Sequence, residues 1–178
     1  HSSMIIDLDD TPHQNLSNLA KLKKCDISDL SVVILQRPRH EEIIAKLREA
    51  GARTILIKDG DIAAVIATAL PDTGVDMYMG IGGAPEGVLA AAALSTTGGQ
   101  MRSRLRFDTE IQKTRAYSMS ITDLSRKYTV KDMARGENIM FIATGVTSGS
   151  LLEGVRILSN GNIRTNSLAM SSKHRTIC

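Results

Sequence analysis

The first candidate for chemistry is a pair of arginines, Arg37 and Arg39, separated only by Pro38. Guanidinium groups form bidentate hydrogen bonds with phosphate oxygens, a geometry that lysine cannot copy. The alternative is that both arginines are solvated surface residues, which is the more frequent case for an isolated pair. His40 follows, but it has no carboxylate or second histidine at metal-binding spacing, and we predict a structural role for it.

A second candidate is the pair of carboxylates Asp59 and Asp61, which flank Gly60. Two carboxylates at this spacing can accept hydrogen bonds from adjacent sugar hydroxyls. The competing interpretation is local: Asp61 is placed to be the N-cap of a following helix, and Asp59 to form a turn. On spacing alone, the cap interpretation is favoured for Asp61.

The third candidate is the glycine-rich segment 80–87. It is not a dinucleotide fingerprint, because Pro85 stands where the third glycine of G-x-G-x-x-G would be. It is not a Walker loop either, since Val88 stands where that loop needs lysine. The segment does let the backbone approach a ligand closely at Gly82 and Gly83. Glu86 falls in the first turn of a predicted helix, where a carboxylate also has a plain role in stabilising the helix dipole.

A fourth segment, Thr144 to Gly149, offers hydroxyl and amide donors that could bind phosphate as a backbone nest. Loops of this composition are common, so the signal is weak. The order of serine, histidine and aspartate residues, and of cysteine and histidine residues, does not suggest a covalent nucleophile.

The elements that must position these segments alternate between strand and helix. Compact apolar runs predict strands, and apolar residues at helical spacing predict the helices between them. The predicted strands are 32–35, 54–57, 75–79, 139–143 and 163–170, and the predicted helices are 15–24, 43–51, 62–70, 87–94, 109–119 and 130–134, with a short helical turn after residue 149. Three consecutive strand–turn–helix units predict a parallel sheet with helices on its faces. The three polar turns should therefore meet at one edge of the sheet, where ligands bind.

The composition of the chain limits the classes of partner that we expect. The formal net charge of +3 is spread along the chain, and aromatic residues make up 3%, so we predict no nucleic-acid partner. The apolar runs are too short to cross a bilayer, which predicts no membrane association. Two cysteines at no recognisable spacing favour a reducing, cytoplasmic location. Residues His1 to Met4 read as an expression remnant, and we divide the chain into a tag or linker, 1–14, and one α/β domain, 15–178.

Taken together and in this order, the four segments resemble the class II fructose-1,6-bisphosphatases of bacteria. The similarity runs from about Asn15 to Ile177 and corresponds to the later half of that family's chain. The resemblance implies the layered α/β fold of the lithium-sensitive phosphatases. It also implies divalent-metal hydrolysis of the 1-phosphate of fructose 1,6-bisphosphate, and in some members of sedoheptulose 1,7-bisphosphate.

The resemblance also assigns roles to residues of this sequence. Arg37, Pro38 and Arg39 would line the site of the retained phosphate. The sugar would contact Asp59, Gly60 and Asp61, and the substrate would also contact Gly83. Glu86 would hold one metal ion, Mn²⁺ or Mg²⁺, both of which prefer carboxylate oxygens.

The family's other metal carboxylates and its catalytic threonine lie in the earlier half. We therefore assign no catalytic residue here and predict that this polypeptide alone has little or no hydrolase activity. The full-length protein is expected to be a homo-oligomer. Two alternatives stay open: a non-catalytic module that binds a sugar phosphate or nucleotide, and a structural domain whose glycine turns only permit tight packing.

Overall fold

The computed structural model describes residues 5–173 and 176–177. His1 to Met4, predicted to be an expression remnant, and Cys178 lie outside the described residues. The helices are α1 Pro12–Lys23, α2 Glu41–Glu49, α3 Asp61–Ala67, α4 Ala84–Thr97, α5 Glu110–Ser118 and α6 Val130–Met133. The strands are β1 Ser31–Leu35, β2 Arg53–Ile57, β3 Met77–Tyr78, β4 Arg102–Arg104, β5 Lys127–Thr129, β6 Met140–Thr144, β7 Arg156–Ile157, β8 Ile163–Arg164, β9 Ser167–Ser171 and β10 Thr176–Ile177.

A parallel sheet in the order β2-β1-β3 occupies the first half of the chain. Strand β1 lies in the middle and is buried along its whole length, as expected for a parallel strand covered on both faces. Leu35 is in register with Ile57 of β2, and Val33 with Tyr78 of β3. The predicted α/β fold and its parallel sheet are therefore confirmed.

Local signals fix the helices on either side of this sheet. The Thr11 hydroxyl caps α1 by accepting a hydrogen bond from the Gln14 amide at 3.2 Å. Gly51, at φ +87°, follows α2 in the left-handed conformation that glycine adopts most readily at a helix end. Asp61 is the first residue of α3 and not its cap, since Gly60 takes the cap position with φ +80°. The cap interpretation of Asp61 was wrong by one residue.

A second, antiparallel sheet has the order β10-β9-β6. The predicted strand 163–170 is in fact two strands. Ile163 and Arg164 pair with β7, whereas Ser167 to Ser171 pair with β6. The break falls at Asn166, whose side chain and carbonyl bind the loop after β6 through the amides of Glu153 and Gly145 at 3.1 and 2.9 Å.

Helices and sheets stack as layers. Leu16 of α1, Leu47 of α2 and Ile34 of β1 belong to one apolar core, on one face of the parallel sheet. Helix α3 contacts β1 and β3, and α4 contacts α3, β6 and β9. Helices α3 and α4 thus separate the two sheets, and a core that includes Ile66 of α3 and Ala93 of α4 joins them to the antiparallel sheet.

The N-terminal segment before α1 is attached to the antiparallel pair β4 and β5. Lys127 of β5 pairs with both Asp7 and Asp9, and these hydrogen bonds hold the pKa of each carboxyl below its ordinary value. Ile6 packs against the core formed by α1, α2 and β1. The division of the chain into a tag or linker, 1–14, and one α/β domain, 15–178, stays a prediction. No helix in the described part of the chain is long and apolar enough to span a membrane.

Candidate functional site

Three polar turns lie at the carboxyl ends of β1, β2 and β3. The Gln36 amide donates to Ile57 O at 2.8 Å, and the Met79 amide donates to Val33 O at 3.2 Å, so the strands are still paired where the turns begin. We call residues 36–40, 58–61 and 80–86 the rim. Because parallel strands end at the same edge, the rim gathers three segments that are far apart in sequence.

Arg37 joins the first turn to the second. Its Nη2 donates to Lys58 O at 2.5 Å, and its Nη1 donates to Gln36 O at 3.0 Å. The guanidinium is therefore fixed at the backbone of the second turn, at the residue before Asp59. These contacts fix the position of the cationic group before any ligand arrives.

Arg39 and His40 join the first turn to the third. Arg39 Nε donates to Ile81 O at 2.8 Å. The Ile81 amide donates to His40 Nε2 at 2.8 Å, so Nδ1 carries the ring proton and donates it to Leu35 O at 2.7 Å. His40 is fully buried, and its predicted structural role is confirmed.

Asp61, in the second turn, contacts the third turn. A Cβ atom placed on Gly82 would lie 3.5 Å from Asp61 Oδ2, so the carboxylate lies against the glycine-rich turn. Tyr78, at the end of β3, lies in the same neighbourhood. Its burial, and secondarily the charge of Asp61, raises the pKa of its phenol to about 12, while the charge of Arg39 opposes the rise.

Glu86 lies in the first turn of α4, together with Pro85. Its side chain folds back over Gly83, where a Cβ atom would collide with Glu86 Oε2. The Gly83 backbone is extended, at φ −73° and ψ 150°, so the absence of a side chain and not an unusual conformation is what the turn uses. Glycine at position 83 therefore leaves room for the carboxylate of Glu86.

The substrate-binding candidates are accessible. Pro38, Arg39, Asp59, Gly60, Gly83 and Glu86 are exposed, and Arg37 and Asp61 are half-buried. A cleft of about 450 Å³ opens beside Arg37 and Pro38 and continues along α2 past Glu41 and Arg48. Neither Asp61 nor Glu86 lines that cleft, so we place the candidate site on the open rim.

The rim carboxylates do not make a metal centre by themselves. Asp59, Asp61 and Glu86 supply the oxygen ligands that Mg²⁺ and Mn²⁺ prefer. Among the described residues, however, no group of three or more acidic, histidine or cysteine side chains is placed to hold an ion. A divalent ion at Glu86 needs further ligands, and we derive no chemical step through it.

The segment Thr144 to Gly149 does not offer a free backbone nest. The Gly145 amide donates to Asn166 O and the Gly149 amide to Leu152 O, both at 2.9 Å. Gly145 is also packed so tightly that a Cβ atom there would collide with Glu153 O. The amides of Gly145 and Gly149 are used within the loop. The expectation that these two amides bind phosphate was therefore wrong.

Sequence reasoning missed two contributors to the rim. The Ile81 carbonyl accepts a hydrogen bond from Arg39 and the Ile81 amide donates one to His40, and Tyr78 is close enough to Asp61 and Arg39 for both charges to affect the pKa of its phenol. A backbone carbonyl leaves no mark on the side-chain pattern, and Tyr78 reads only as part of a strand. The sequence held no signal for either role.

Fold and rim together describe an α/β domain in which three polar turns meet at one edge of a parallel sheet. The family model described as bacterial fructose-1,6-bisphosphatase, glpX-encoded, matches residues 1–178, and the chain belongs to this family. That family is in the lithium-sensitive phosphatase class, as the resemblance implied. The recognition made from the four segments is confirmed.

Relatives in cyanobacteria carry the name D-fructose 1,6-bisphosphatase class 2/sedoheptulose 1,7-bisphosphatase. Those of Crocosphaera subtropica and Synechocystis are each 40% identical to 96% of this chain, which covers 53% of their own length. The relative in Trichodesmium erythraeum is 39% identical with the same coverage. The chain thus spans about half the length of the curated relatives it matches.

Proposed function

We propose that this chain supplies the sugar-phosphate-binding part of a metal-dependent bisphosphatase. The reaction is hydrolysis of the 1-phosphate of fructose 1,6-bisphosphate, which gives fructose 6-phosphate and phosphate, with sedoheptulose 1,7-bisphosphate as a further substrate. The observation that carries the proposal is the convergence of the three turns through Arg37, Arg39 and Asp61. Membership in the family supports the reaction type.

Each side of the rim has its own chemistry in this proposal. Arg37 and Arg39 bind the phosphate that is retained, with Pro38 stiffening the turn between them. Asp59 and Asp61 accept hydrogen bonds from sugar hydroxyls around Gly60, and Gly83 lets the ligand approach the backbone closely. The rim therefore holds and orients the substrate, and its two cations suit the anionic end.

Glu86 is the residue of this chain that would contribute to binding Mn²⁺ or Mg²⁺. A bound divalent ion supplies an activated water and stabilises negative charge on the leaving oxygen. The remaining ligands come from the part of the family's chain that the residues of this chain do not span. We therefore expect no turnover from the polypeptide alone, and we place the complete enzyme in the cytoplasm as a homo-oligomer without nucleic-acid or membrane partners.

Two measurements on the purified chain test this proposal. Calorimetry should detect binding of fructose 6-phosphate and no binding of ATP or NAD. Incubation with fructose 1,6-bisphosphate and Mn²⁺ should release no phosphate. A preference for nucleotide would contradict the ligand class, and steady phosphate release would contradict the incomplete metal centre.

A further inference from the structure

Tyr78 is the last residue of β3, and its side chain reaches from the core to the rim. The ring packs against a small apolar core formed by Val65 of α3 with Ala90 and Leu94 of α4. A Cβ atom placed on Gly80 would lie 3.0 Å from the phenol oxygen Oη and 3.4 Å from Cζ. The apolar contacts therefore hold the ring, and its hydroxyl end lies against the first residue of the glycine-rich turn.

The absence of a side chain at Gly80 makes room for this hydroxyl. The φ angle of Gly80 lies outside the left-handed region, so an unusual backbone conformation is not the reason for glycine here. A methyl group at this position would be in tight contact with Tyr78 Oη and would also lie 3.5 Å from Cε1 of the buried His40 ring. The glycine-rich turn therefore leaves space for two side chains, Tyr78 at Gly80 and Glu86 at Gly83.

The Tyr78 phenol is close enough to both kinds of rim charge to be affected by them. Burial of the ring raises the pKa of the phenol to about 12, the charge of Asp61 adds to the rise, and the charge of Arg39 opposes it. The phenol therefore keeps its proton at neutral pH and can both donate and accept a hydrogen bond. An ionised carboxylate only accepts and a guanidinium only donates, so Tyr78 adds a neutral group with both capacities.

The Tyr78 hydroxyl is available to a ligand. None of the described residues forms a hydrogen bond with it, whereas both ring nitrogens of neighbouring His40 are used on backbone groups. Within the described chain, the buried side-chain polar atom that lacks a partner is Arg102 Nε, so the unpaired Tyr78 Oη is open to solvent. A tyrosine hydroxyl on a half-buried ring usually finds a hydrogen-bond partner. A molecule bound at the rim can supply that partner.

We propose that Tyr78 is a specificity-determining residue of the rim, whose hydroxyl forms a hydrogen bond with a hydroxyl group of the bound sugar phosphate. The inference rests on the proposed function, since it concerns the same ligand. A sugar hydroxyl both donates and accepts hydrogen bonds, and Tyr78 together with the carboxylate of Asp61 can satisfy both capacities. Inorganic phosphate carries no sugar hydroxyl, so its binding depends on the arginines and not on Tyr78. The rim thereby favours a phosphorylated sugar over phosphate alone.

A role in packing alone is the competing interpretation of Tyr78. Its ring contacts the core between α3 and α4, and a phenylalanine ring would make the same apolar contacts. Packing alone predicts that loss of the hydroxyl changes no ligand affinity. The proposal predicts a loss that is selective for the sugar phosphate, which a purely structural role would not produce.

The test is Tyr78→Phe, which removes the hydroxyl and keeps the ring. Titration calorimetry should show that the variant binds fructose 6-phosphate about 3- to 10-fold more weakly than the unchanged chain, the loss expected for one neutral hydrogen bond. The affinity for inorganic phosphate should be unchanged. Tyr117→Phe makes the same chemical change at an exposed position of α5 and is the matched control, which should leave both affinities as they are.

A second measurement observes the hydroxyl group directly. In the chain isotope-labelled at the tyrosine ring carbon that bears the hydroxyl, the Tyr78 resonance is assigned by its absence from Tyr78→Phe. It should shift on addition of fructose 6-phosphate and not on addition of inorganic phosphate. Equal fructose 6-phosphate affinity in the variant and the unchanged chain, or an equal loss of affinity for both ligands, would overturn the proposal and leave the proposed function intact. Failure of every protein to bind fructose 6-phosphate would overturn both.

Discussion

Arg39 has the most direct position for holding an anion at the rim. Its Nε is fixed on Ile81 O, and within the part of the chain that the structure describes its two terminal nitrogens have no protein partner. Arg37, in contrast, uses both terminal nitrogens on carbonyl groups. We therefore expect Arg39 to contribute more to phosphate affinity than Arg37.

Replacement of Arg39 by alanine should weaken fructose 6-phosphate binding by about 10- to 100-fold. The reason is the loss of charge-assisted hydrogen bonds, each of which contributes about 1.5–3 kcal/mol. Titration calorimetry measures the change. Arg106→Ala is the control, because Arg106 pairs with exposed Asp108 between β4 and α5. Equal affinity in the two variants would remove Arg39 from the site.

Replacement of Gly83 by alanine should change metal binding more than stability. The new methyl group would collide with Glu86 Oε2, and the flexible side chain would have to turn away. Since the Gly83 backbone is extended, the free energy of unfolding should change by less than about 1 kcal/mol. The affinity of the chain for Mn²⁺, followed by paramagnetic relaxation, should fall.

Gly82→Ala is the control for that experiment, because its Cβ would make only an ordinary 3.5 Å contact with Asp61 Oδ2. Unchanged Mn²⁺ affinity in Gly83→Ala would show that the position of Glu86 does not matter to the ion.

Which residues form the rim was largely predictable. Arg37, Asp59 and Gly83 each follow an apolar strand, and parallel strands end together. The contacts among them were not predictable, because they run through the Lys58 and Ile81 carbonyls, which every residue type possesses. Their roles in binding remain predictions until a ligand is measured.

At the scale of elements, His40 connects β1 to the glycine-rich turn. His40→Ala should lower the free energy of unfolding by about 2–4 kcal/mol, because it leaves a cavity and removes the partners of Leu35 O and the Ile81 amide. Urea denaturation measures the loss. Hydrogen exchange at the Ile81 amide should accelerate specifically.

His13→Ala is the matched change on exposed α1 and should alter stability by less than about 0.5 kcal/mol. An Ile81 amide that stays protected in His40→Ala would show that another group holds the turn.

The start of α6 provides a pH-dependent contribution to stability. Hydrogen bonds from the Thr129 hydroxyl and amide, with Arg126 nearby, lower the pKa of Asp132 to about 2. Because the folded pKa lies below the ordinary 3.8, this stabilisation is present above about pH 4 and is lost as pH falls towards 2. Asp132→Asn should therefore be less stable at pH 7, by up to about 1 kcal/mol.

The difference in the free energy of unfolding between the unchanged chain and Asp132→Asn should disappear near pH 2. Urea denaturation across this pH range measures it. Asp108→Asn, at an exposed ion pair, is the control. A difference that stays constant from pH 7 to pH 2 would mean that the charge of Asp132 is not responsible.

Elements of the first half were predictable from apolar runs and turn residues, since the parallel sheet is built from sequence-local units. The elements of the second half were less predictable. The run 163–170 splits at Asn166 because the loop after β6 needs the side chain and carbonyl of that residue. Strand β4 escaped prediction because its three residues, Arg-Ser-Arg, carry no apolar pattern.

At the scale of the whole molecule, helices cover one face of the antiparallel sheet and leave apolar residues exposed on the other. Helices α3 and α4 cover the inner face of the antiparallel sheet, and Met140 and Ile142 lie exposed on the other. The chain also spans about half of its relatives' length. We propose that this chain binds the sugar phosphate and that further metal ligands lie in the part of the relatives' chains that it does not span.

The central claim is that the three turns surround one sugar phosphate. The most direct test is a titration of the isotope-labelled chain with fructose 6-phosphate, followed by amide chemical shifts. The account predicts perturbations concentrated at residues 36–40, 58–61 and 80–86, saturating together with a single dissociation constant. Perturbations confined to the cleft along α2, or independent saturation of the three turns, would contradict it.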